Sequence, residues 1–517
     1  MTGGGVRRVA SAALAVVTLV AACTDRSDDA ARSEPDTSTA AKSTPPEPSE
    51  LPTLRAVRSV NGDEHPRIID AHGRHVLLRG VNVNSLGDYH QADPDAVTVV
   101  PVATADWSQM AALGFNVVRL LISWSAVEPE RGTFDGEYLD KVAAAVDAAS
   151  TAGLYVVVDM HQDAWGKSLA TPEGTVCPPG ASPAIGWDGA PEWATMTDGA
   201  STCTFGSRES AEAVMNAWDA FYANRDGIAD ELIAAWRFVV RELGDRTSIA
   251  GYDLVNEPNN GHDQAAATTA LGTFYDRAIT AIRQEESVLG VDRIAFFETT
   301  VSGLPVPPDF TDDQNIVFAP HNYGESIGSI PIEGTFDYFA SLAAGYGTAM
   351  WIGEYGFFED TIAASEKLGR YAAKEDALLT AGGAWWQWRQ ACGDPHSVST
   401  PGAKAQPVQI HLRTNGCPGD VDGGVNPRWQ CLWRPYPRRS PGTLHSLRSG
   451  CTSGVEFSGT TPSPGQVEVW FPGAAVQEPT VSGEAVDDVD DVEITPVDGG
   501  FVVTATVTGT YRVSVQP

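Results

Sequence analysis

Two glutamates stand directly after apolar stretches of the sequence, a setting that suits acid–base or nucleophilic chemistry. Leu254-Val255 runs into Asn256-Glu257-Pro258, and Trp351-Ile352-Gly353 runs into Glu354. Cleavage of a glycosidic bond needs such a pair, because one carboxylate attacks the anomeric carbon while the other protonates the leaving oxygen and then activates water. Either glutamate alone could simply end a strand or cap a helix, so the pair matters only if the fold brings both together.

Other polar and aromatic residues lie within or just after further apolar stretches. Each of them taken singly could be an ordinary core or turn residue, but their joint occurrence favours one active site around the two glutamates. These residues are Arg119, His161, Asp163, Asn256, His321, Tyr323 and Trp386. The cysteine and histidine spacings match no zinc pattern and no Gly-rich phosphate turn is present, so we predict neither a metal nor a cofactor.

The elements that must position these residues are eight short apolar stretches separated by amphipathic helical patterns. Continuous apolar runs are typical of parallel strands that are buried on both faces. The predicted strands cover residues 75–83, 115–122, 154–160, 249–255, 293–298, 315–319, 349–353 and 383–388, and the clearest helices cover 138–151 and 211–243. Eight β/α repeats predict an α/β fold of the (β/α)8 TIM barrel type, whose active sites lie at the carboxyl ends of the strands.

A different pattern follows the eighth stretch. Residues 389–450 are rich in Pro, Gly and Arg and carry three of the cysteines, which indicates long loops tied by disulfides. From Val455 onward, short alternating runs predict a small C-terminal β-sandwich. We therefore expect a catalytic barrel over residues 55–433 and the β-sandwich over residues 434–517.

The N-terminal region predicts export. Arg7-Arg8 precede an apolar run that ends in Val20-Ala21-Ala22-Cys23, which resembles the lipobox of bacterial lipoproteins. This predicts a lipoprotein signal peptide over residues 1–22, lipidation of Cys23 and a disordered tether over residues 23–54, which contain almost no large apolar residue. The alternative is an ordinary signal peptide with an incidental cysteine. In either case the protein would work outside the cytoplasm, as a cell-surface lipoprotein or a secreted protein.

Six cysteines remain after Cys23, an even number that in an exported protein favours disulfides. Cys177 and Cys203 lie in one Gly/Pro-rich insert, so they are the favoured pair. Among the 517 residues, 34 Lys and Arg stand against 67 Asp and Glu, which gives a net charge of −33 and argues against a nucleic-acid partner. No apolar stretch of about 20 residues follows the first 25, so a polytopic membrane protein is excluded. We expect a monomer.

The motif set Arg119, His161, Asn256-Glu257-Pro258, His321-x-Tyr323, Glu354 and Trp386 resembles glycoside hydrolase family five, the retaining (β/α)8 hydrolases. More narrowly, the segments from Ser123 to Pro129 and from Asp159 to Gly166 resemble its endoglycoceramidase branch. Members of that branch cleave the β-glycosidic bond between an oligosaccharide and ceramide in glycosphingolipids. The resemblance implies a glycosphingolipid substrate and a membrane reached through the lipid anchor.

The resemblance also implies roles for individual residues. Glu257 would be the acid/base and Glu354 the nucleophile, while Asn256 would hold the sugar 2-hydroxyl. His321 and Tyr323 would support the nucleophile. His161, Asp163 and Trp386 would line the sugar.

Substrate choice stays open at this stage. Apolar candidates for the lipid side of the cleft are Ile327, Ile330, Phe357, Phe358 and Trp433. The alternative activities are a β-glucosidase acting on glucosylceramide or steryl glucoside, and a cellulase- or mannanase-type endoglycanase. A non-catalytic carbohydrate-binding lipoprotein is disfavoured by the pair of glutamates.

Overall fold

The computed structural model describes residues 50–59, 65–359, 361–398, 412–413, 424–473, 480–484 and 491–517, the range 480–484 by its backbone alone. The predicted signal peptide, Cys23 and nearly all of the predicted tether lie outside these residues. No helix within the described ranges combines the length and apolar character needed to cross a bilayer.

Three short strands precede the barrel: β1 (Leu54–Val57), β2 (Arg67–Asp70) and β3 (Arg74–Val76). They pair antiparallel in this order. The predicted strand over residues 75–83 is therefore divided, because its first residues belong to β3 and only the later ones enter the barrel.

Eight parallel strands form the barrel, and each of them overlaps one of the eight predicted stretches. The strands are β4 (Leu78–Val83), β5 (Val117–Ser123), β6 (Tyr155–His161), β7 (Ile249–Asp253), β8 (Ile294–Phe297), β9 (Ile316–Phe318), β10 (Ile352–Tyr355) and β11 (Gly382–Trp385). Their order is β10-β11-β4-β5-β6-β7-β8-β9. Parallel bridges from Phe318 to Met350 and from His321 to Glu354 join β9 to β10, so the sheet closes on itself. The predicted TIM barrel is confirmed.

Side chains along each strand alternate between the helices outside the barrel and the barrel interior. On β5, Val118, Leu120 and Ile122 belong to the apolar cluster shared with the helices, whereas Val117 belongs to a second buried cluster inside the barrel. Arg119 is two residues after Val117, so its side chain is on the same face of the strand. It therefore points into the barrel, nearer to the carboxyl end of β5 than Val117 does. The inward face of β5 thus contributes an apolar side chain to the barrel core near the start of the strand and a polar side chain farther along it.

The helices surround the barrel. They are α1 (Thr104–Ala112), α2 (Trp124–Val127), α3 (Gly136–Thr151), α4 (Glu212–Tyr222), α5 (Ile228–Leu243), α6 (Gln264–Leu289), α7 (Ile332–Tyr346) and α8 (Ile362–Leu378). Asp135 caps α3 by accepting a hydrogen bond from the Tyr138 backbone N–H. The helix predicted over residues 211–243 is wrong in one respect: it is two helices, because Asn224 and Gly227 adopt left-handed conformations between them.

The C-terminal strands form one antiparallel sheet. They are β12 (Tyr436–Pro441), β13 (Thr443–Ser449), β14 (Val455–Pro472), β15 (Thr480–Glu484), β16 (Glu493–Val497) and β17 (Gly500–Gln516). A register shift between Thr461 and Gly465 divides β14, so that β13 pairs with its first half and β12 with its second. Both halves bury residues in a common apolar cluster. The predicted C-terminal β-sandwich is thus built from one continuous sheet.

The N-terminal strands belong to this C-terminal sheet, because β3 pairs antiparallel with β12. A buried ion network adds contacts between barrel and sheet: Arg79 Nη2 lies 2.5 Å from Asp376 Oδ1, and Arg434 pairs with Glu375. The Ser449 N–H donates to Asp376 Oδ2 at 2.7 Å. The domain limits at residues 433 and 434 stay a prediction, to which the structure adds this N-terminal contribution.

Disulfides hold the long loops. The predicted pair Cys177–Cys203 is confirmed and closes the insert after β6. A second disulfide joins Cys431 to Cys451, next to the first strands of the C-terminal sheet. Cys392 is disulfide-bonded as well.

Candidate active site

A cavity of about 450 Å³ opens at the carboxyl ends of the barrel strands. Seven of the residues predicted from the sequence border it: His161, Asp163, Glu257, His321, Tyr323, Glu354 and Trp386. The other two, Arg119 and Asn256, are buried and contact the carboxylates and backbone beneath the cavity. The barrel therefore brings the whole predicted set together, although the chain separates its members widely.

Glu354 lies on β10 and is held through both carboxylate oxygens. Arg119 Nη1 donates to Oε1 at 2.7 Å, and the Tyr323 hydroxyl donates to Oε2 at 2.9 Å. His321 Nδ1 lies 3.6 Å from the same Oε2. A carboxylate held in one orientation by a cation and a hydroxyl is suited to attack a carbon centre in the cavity.

Glu257 follows β7 on a tight turn in which its own backbone is left-handed, with φ of 40°. Its N–H donates to Glu298 Oε2 at 3.0 Å, which fixes this unusual conformation. His321 Nδ1 lies 2.9 Å from Oε1 and Arg208 Nη2 lies 3.3 Å from Oε2. Burial by itself would raise the pKa of Glu257, but the hydrogen bond and charge of His321, together with the charge of Arg208, outweigh it and hold the pKa below its usual value.

The two glutamates lie close to each other. One carboxylate oxygen of Glu257, one ring nitrogen of His321 and one carboxylate oxygen of Glu354 are all within 4.8 Å of one another. Retaining glycosidases place their carboxyl groups about 5–5.5 Å apart, whereas inverting enzymes need about 6.5–9.5 Å to admit a water molecule. The spacing matches the retaining arrangement.

Arg119 lies beneath the cavity and contacts six polar side chains there. The side chain is fully buried and every nitrogen faces an acceptor. Its contacts are Asp253 at 2.9 Å, Glu354 at 2.7 Å, Asn256 at 2.9 Å, Asp159 at 3.0 Å, Asn82 at 3.2 Å and Glu298 at 3.2 Å. The guanidinium therefore contacts Glu354 itself and two groups next to Glu257, namely Asn256 and Glu298, and does not line the cavity. That Asn256 contacts a sugar hydroxyl stays a prediction.

His161 and Trp386 form one wall of the cavity. Their rings stack with centroids 5.4 Å apart and planes inclined by 16°. His161 Nδ1 lies 2.8 Å from Asp159 Oδ2. Burial would lower the pKa of His161, but the negative charges of Asp159 and Asp188 reverse the effect and raise it well above its usual value. The flat Trp386 ring beside a polar imidazole is a surface on which a sugar can stack.

Sequence reasoning missed several residues of the site. Glu298 follows directly on β8 and was the last residue of the fifth predicted strand, so its position at a strand end was the signal available. His321 Nε2 lies 3.1 Å from Glu298 Oε1, and burial raises the pKa of Glu298 to about 8. Trp187, Arg208 and His396 also line the cavity, and they come from long loops without any periodic pattern.

The predicted lipid-side residues divide into two groups. Ile327 and Phe358 line the cavity, and Ile330 is 66 % exposed on the same loop as Ile327. Phe357 is wrong as a lipid contact: it is 3 % exposed and stacks against Trp429 in the barrel core. Trp433 likewise packs against the core cluster.

Among the residues that the structure describes, two groups of side chains at this end of the barrel have donor types that could hold a cation. One is Glu257, His321 and Glu354, and the other is His161, Asp163 and Asp188. Arg119 and Arg208 already neutralise carboxylates in both groups. An arginine therefore offsets part of the negative charge in each cluster, and the absence of a metal stays a prediction.

Comparison with known proteins agrees with this geometry. A family model described as cellulase (glycosyl hydrolase family 5) matches residues 69–391. Endoglycoceramidase I of Rhodococcus hoagii (strain 103S) is 29 % identical over 274 residues, which cover 50 % of this chain and 51 % of that protein. The chain spans about half or less of the length of the curated relatives that it matches.

Solved structures match over a larger part of the chain. The crystal structure of an endogalactoceramidase superposes with a TM-score of 0.81 at 40 % identity, covering 90 % of this chain and 100 % of that one. Endo-glycoceramidase II from Rhodococcus sp., solved as a lactosyl-enzyme intermediate, superposes with a TM-score of 0.66 at 25 % identity, covering 87 % of this chain and 98 % of that one. Because the family model spans more than half of the sequence, this chain belongs to glycosyl hydrolase family 5 and is a glycoside hydrolase.

Proposed function

We propose that this glycoside hydrolase is a retaining endoglycoceramidase, which hydrolyses the β-glycosidic bond between an oligosaccharide and ceramide. The observation that carries the proposal is a close pair of glutamates in a cavity lined by both polar and apolar side chains. The likeness to an endogalactoceramidase over that protein's whole length supports the same substrate class.

The proposed reaction has two displacements. Glu354, oriented by Arg119 and Tyr323, attacks the anomeric carbon while Glu257 gives its proton to the leaving ceramide oxygen. Glu257, now a carboxylate, takes a proton from a water molecule that attacks the glycosyl-enzyme and frees Glu354. Two inversions at one carbon retain the β configuration of the released sugar.

The side chains that line the cavity include groups suited to each half of a glycosphingolipid. His161, Asp163 and Trp386 offer hydrogen bonds and a stacking surface to a sugar, whereas Val301, Ile327 and Phe358 offer apolar surface. A soluble glucan has no lipid for the second group to cover. This difference favours a ceramide glycoside over cellulose or mannan.

A substrate panel separates the candidate activities. The purified protein of residues 24–517 is incubated in detergent with a panel of substrates, and the products are identified by mass. The panel contains lactosylceramide, gangliosides, galactosyl-linked ceramide glycans, glucosylceramide, steryl glucoside and cello-oligosaccharides. Release of intact oligosaccharide together with ceramide supports the proposal. Cleavage confined to glucosylceramide or steryl glucoside would indicate a β-glucosidase, and cleavage confined to cello-oligosaccharides would indicate an endoglucanase.

Replacing the two apolar cavity residues should weaken binding of the lipid half selectively. We expect the double variant Ile327→Ser and Phe358→Ser to raise KM for the ceramide glycoside about tenfold, because each buried CH₂ contributes about 0.8 kcal/mol. KM for a nitrophenyl glycoside of the same glycan should change little. Steady-state kinetics on both substrates measure the difference.

The control for this double variant is Val288→Ser, which removes an 82 % exposed apolar side chain from α6, remote from the cavity. It should leave both KM values unchanged. Equal increases in KM for the two substrates would show that Ile327 and Phe358 serve the fold rather than the lipid.

We also propose that the protein is exported and anchored by a lipid on Cys23, and that it acts as a monomer. The lipobox-like Val20-Ala21-Ala22-Cys23 and the disulfides Cys177–Cys203 and Cys431–Cys451 support export to an oxidising compartment.

Removing the lipidated thiol tests the anchor. A Cys23→Ala precursor should no longer partition into detergent as a processed lipoprotein and should be released or remain uncleaved in the membrane. Ser27→Ala, which changes one residue just after the lipobox and leaves Cys23 in place, is the matched control. A Cys23→Ala protein that is still processed and lipidated would contradict the assignment.

A further inference from the structure

An arginine from the insert after β6 reaches the candidate acid/base. Arg208 begins the short 3₁₀ helix Arg208–Ser210, a few residues beyond the disulfide-bonded Cys203. Its side chain is 22 % exposed and lines the cavity. The two-displacement reaction described above uses no group from this insert, so the position of Arg208 needs its own explanation.

The guanidinium of Arg208 is held by contacts on several sides. Nη2 lies 2.6 Å from Asp163 Oδ1 and 3.3 Å from Glu257 Oε2, and Nε pairs with Glu209. One face lies over the Trp187 ring at 4.2 Å from its centroid. Planar guanidinium groups suit such combined stacking and ion pairing, so the charge is fixed in one place rather than free in solvent.

The segment that carries Arg208 is tied to the loop that carries Glu257. Asn259, two residues after Glu257, donates from Nδ2 to the Glu209 carbonyl at 3.1 Å. Trp187 is itself supported by an edge-to-face contact with His396, whose centroid lies 4.8 Å away. Arg208 and Glu257 therefore share a framework, and displacement of one would disturb the other.

We infer that Arg208 is a positioning residue for Glu257, holding the carboxylate toward the scissile bond and stabilising its ionised form. The inference rests on the proposed function of Glu257 as the acid/base. Glu257 loses its proton to the leaving oxygen in the first displacement and regains one from water in the second. A fixed positive charge beside it favours the carboxylate that must form between these steps.

Several charged groups face Glu257 besides Arg208. His321 is next to one oxygen, and Asp163, Glu298 and Glu354 surround the site from the ends of other strands. Burial and the charge of Asp163 act to raise the pKa of Glu257, whereas His321 and Arg208 act to lower it. The two cations prevail, and the pKa lies below its usual value. Removing the Arg208 charge leaves His321 as the remaining cation and should therefore raise the pKa of Glu257.

The test compares Arg208→Gln and Arg208→Lys with the wild type by the pH dependence of kcat/KM. In Arg208→Gln, the basic limb for the ceramide glycoside should move upward by about one pH unit, since one nearby charge is removed. In Arg208→Lys, which keeps the charge, the limb should move less. The acid limb, which reports the nucleophile in its ionised form, should stay in place.

A second substrate separates positioning from general damage. The dinitrophenyl glycoside of the same glycan has a leaving group that needs no proton. Any change of its kcat/KM in the Arg208 variants should therefore be the same at every pH across the basic limb. The matched control is Arg225→Gln, which breaks an exposed pair with Asp198 outside the cavity lining and should leave kcat/KM unchanged for both substrates. Thermal unfolding of each variant monitors the fold.

The outcomes distinguish this inference from the proposed function. A basic limb that does not move in Arg208→Gln, with Glu257→Gln inactive on the ceramide glycoside, would overturn the role of Arg208 and leave the acid/base assignment standing. Parallel losses on both substrates without a shift would make Arg208 a structural residue. Full activity of Glu257→Gln on the ceramide glycoside would overturn the acid/base assignment itself.

Discussion

Glu354→Gln should lower kcat on ceramide glycosides by a factor on the order of 10⁵ while the protein stays folded, since the loss of a nucleophile has effects of this size. Glutamine keeps the volume of the side chain and can still contact Arg119 and Tyr323, but its amide cannot form the glycosyl-enzyme. Glu257→Gln should cost about 10²–10⁴ on the same substrate. Steady-state kinetics with thermal unfolding of both variants measure these losses.

Azide assigns the two roles by stereochemistry. In Glu354→Gly, azide takes the place of the missing nucleophile and a dinitrophenyl β-glycoside should yield the α-glycosyl azide. In Glu257→Ala, the glycosyl-enzyme still forms and azide should yield the β-glycosyl azide. If the two products are exchanged, so are the two roles. If either glutamine variant keeps near wild-type activity, the two-carboxylate mechanism is wrong for this protein.

Arg119→Met should destabilise the protein by about 3–5 kcal/mol, the range typical when one partner of a buried ionic cluster is removed. The change leaves Asp253, Glu298 and Glu354 without their shared cation inside the barrel. Activity should fall as well, because Glu354 loses the donor to Oε1. Urea unfolding followed by tryptophan fluorescence gives the change in the free energy of unfolding.

Two further variants serve as comparisons for the stability of Arg119→Met. Arg119→Lys keeps a positive charge but loses the planar set of donors, so its stability should lie between those of the wild type and Arg119→Met. Arg225→Met removes an exposed arginine and should leave stability unchanged. An Arg119→Met protein as stable as the Arg225→Met control would show that the buried carboxylates do not depend on this cation.

The barrel could be predicted from sequence because its strands are buried on both faces and read as continuous apolar runs. The polar residues of the site could also be predicted, since Arg119 lies within a strand and the others lie at or just past the end of one. Two adjacent residues show the limit of this reasoning. Phe357 and Phe358 are chemically identical, yet one enters the core and the other borders the cavity, and only the path of the chain after β10 decides between them.

Other features depend on contacts that no local pattern records. Arg208 reaches Glu257 because the insert after β6 folds back across the barrel end, and such a path has no periodicity. The single helix expected over residues 211–243 became two because the apolar periodicity continues across a turn made by Asn224 and Gly227. The sequence places β1 to β3 next to the barrel strands, and nothing in it indicates that they pair with the C-terminal sheet instead.

The pairing of β3 with β12 has a consequence for how the chain reaches its native state. Val76 and Arg439 are partners in this ladder. The N-terminal strand β3 therefore cannot pair until β12, which comes more than 300 residues later in the chain, is available. The equilibrium penalty for closing so long a loop is modest, because each doubling of length adds only about 0.6 kcal/mol. The kinetic effect is larger, since ladders between distant segments form slowly. A chain that emerges N-terminus first therefore exposes the open edge of β3 until the whole barrel has followed, and throughout that interval the edge can pair with another chain.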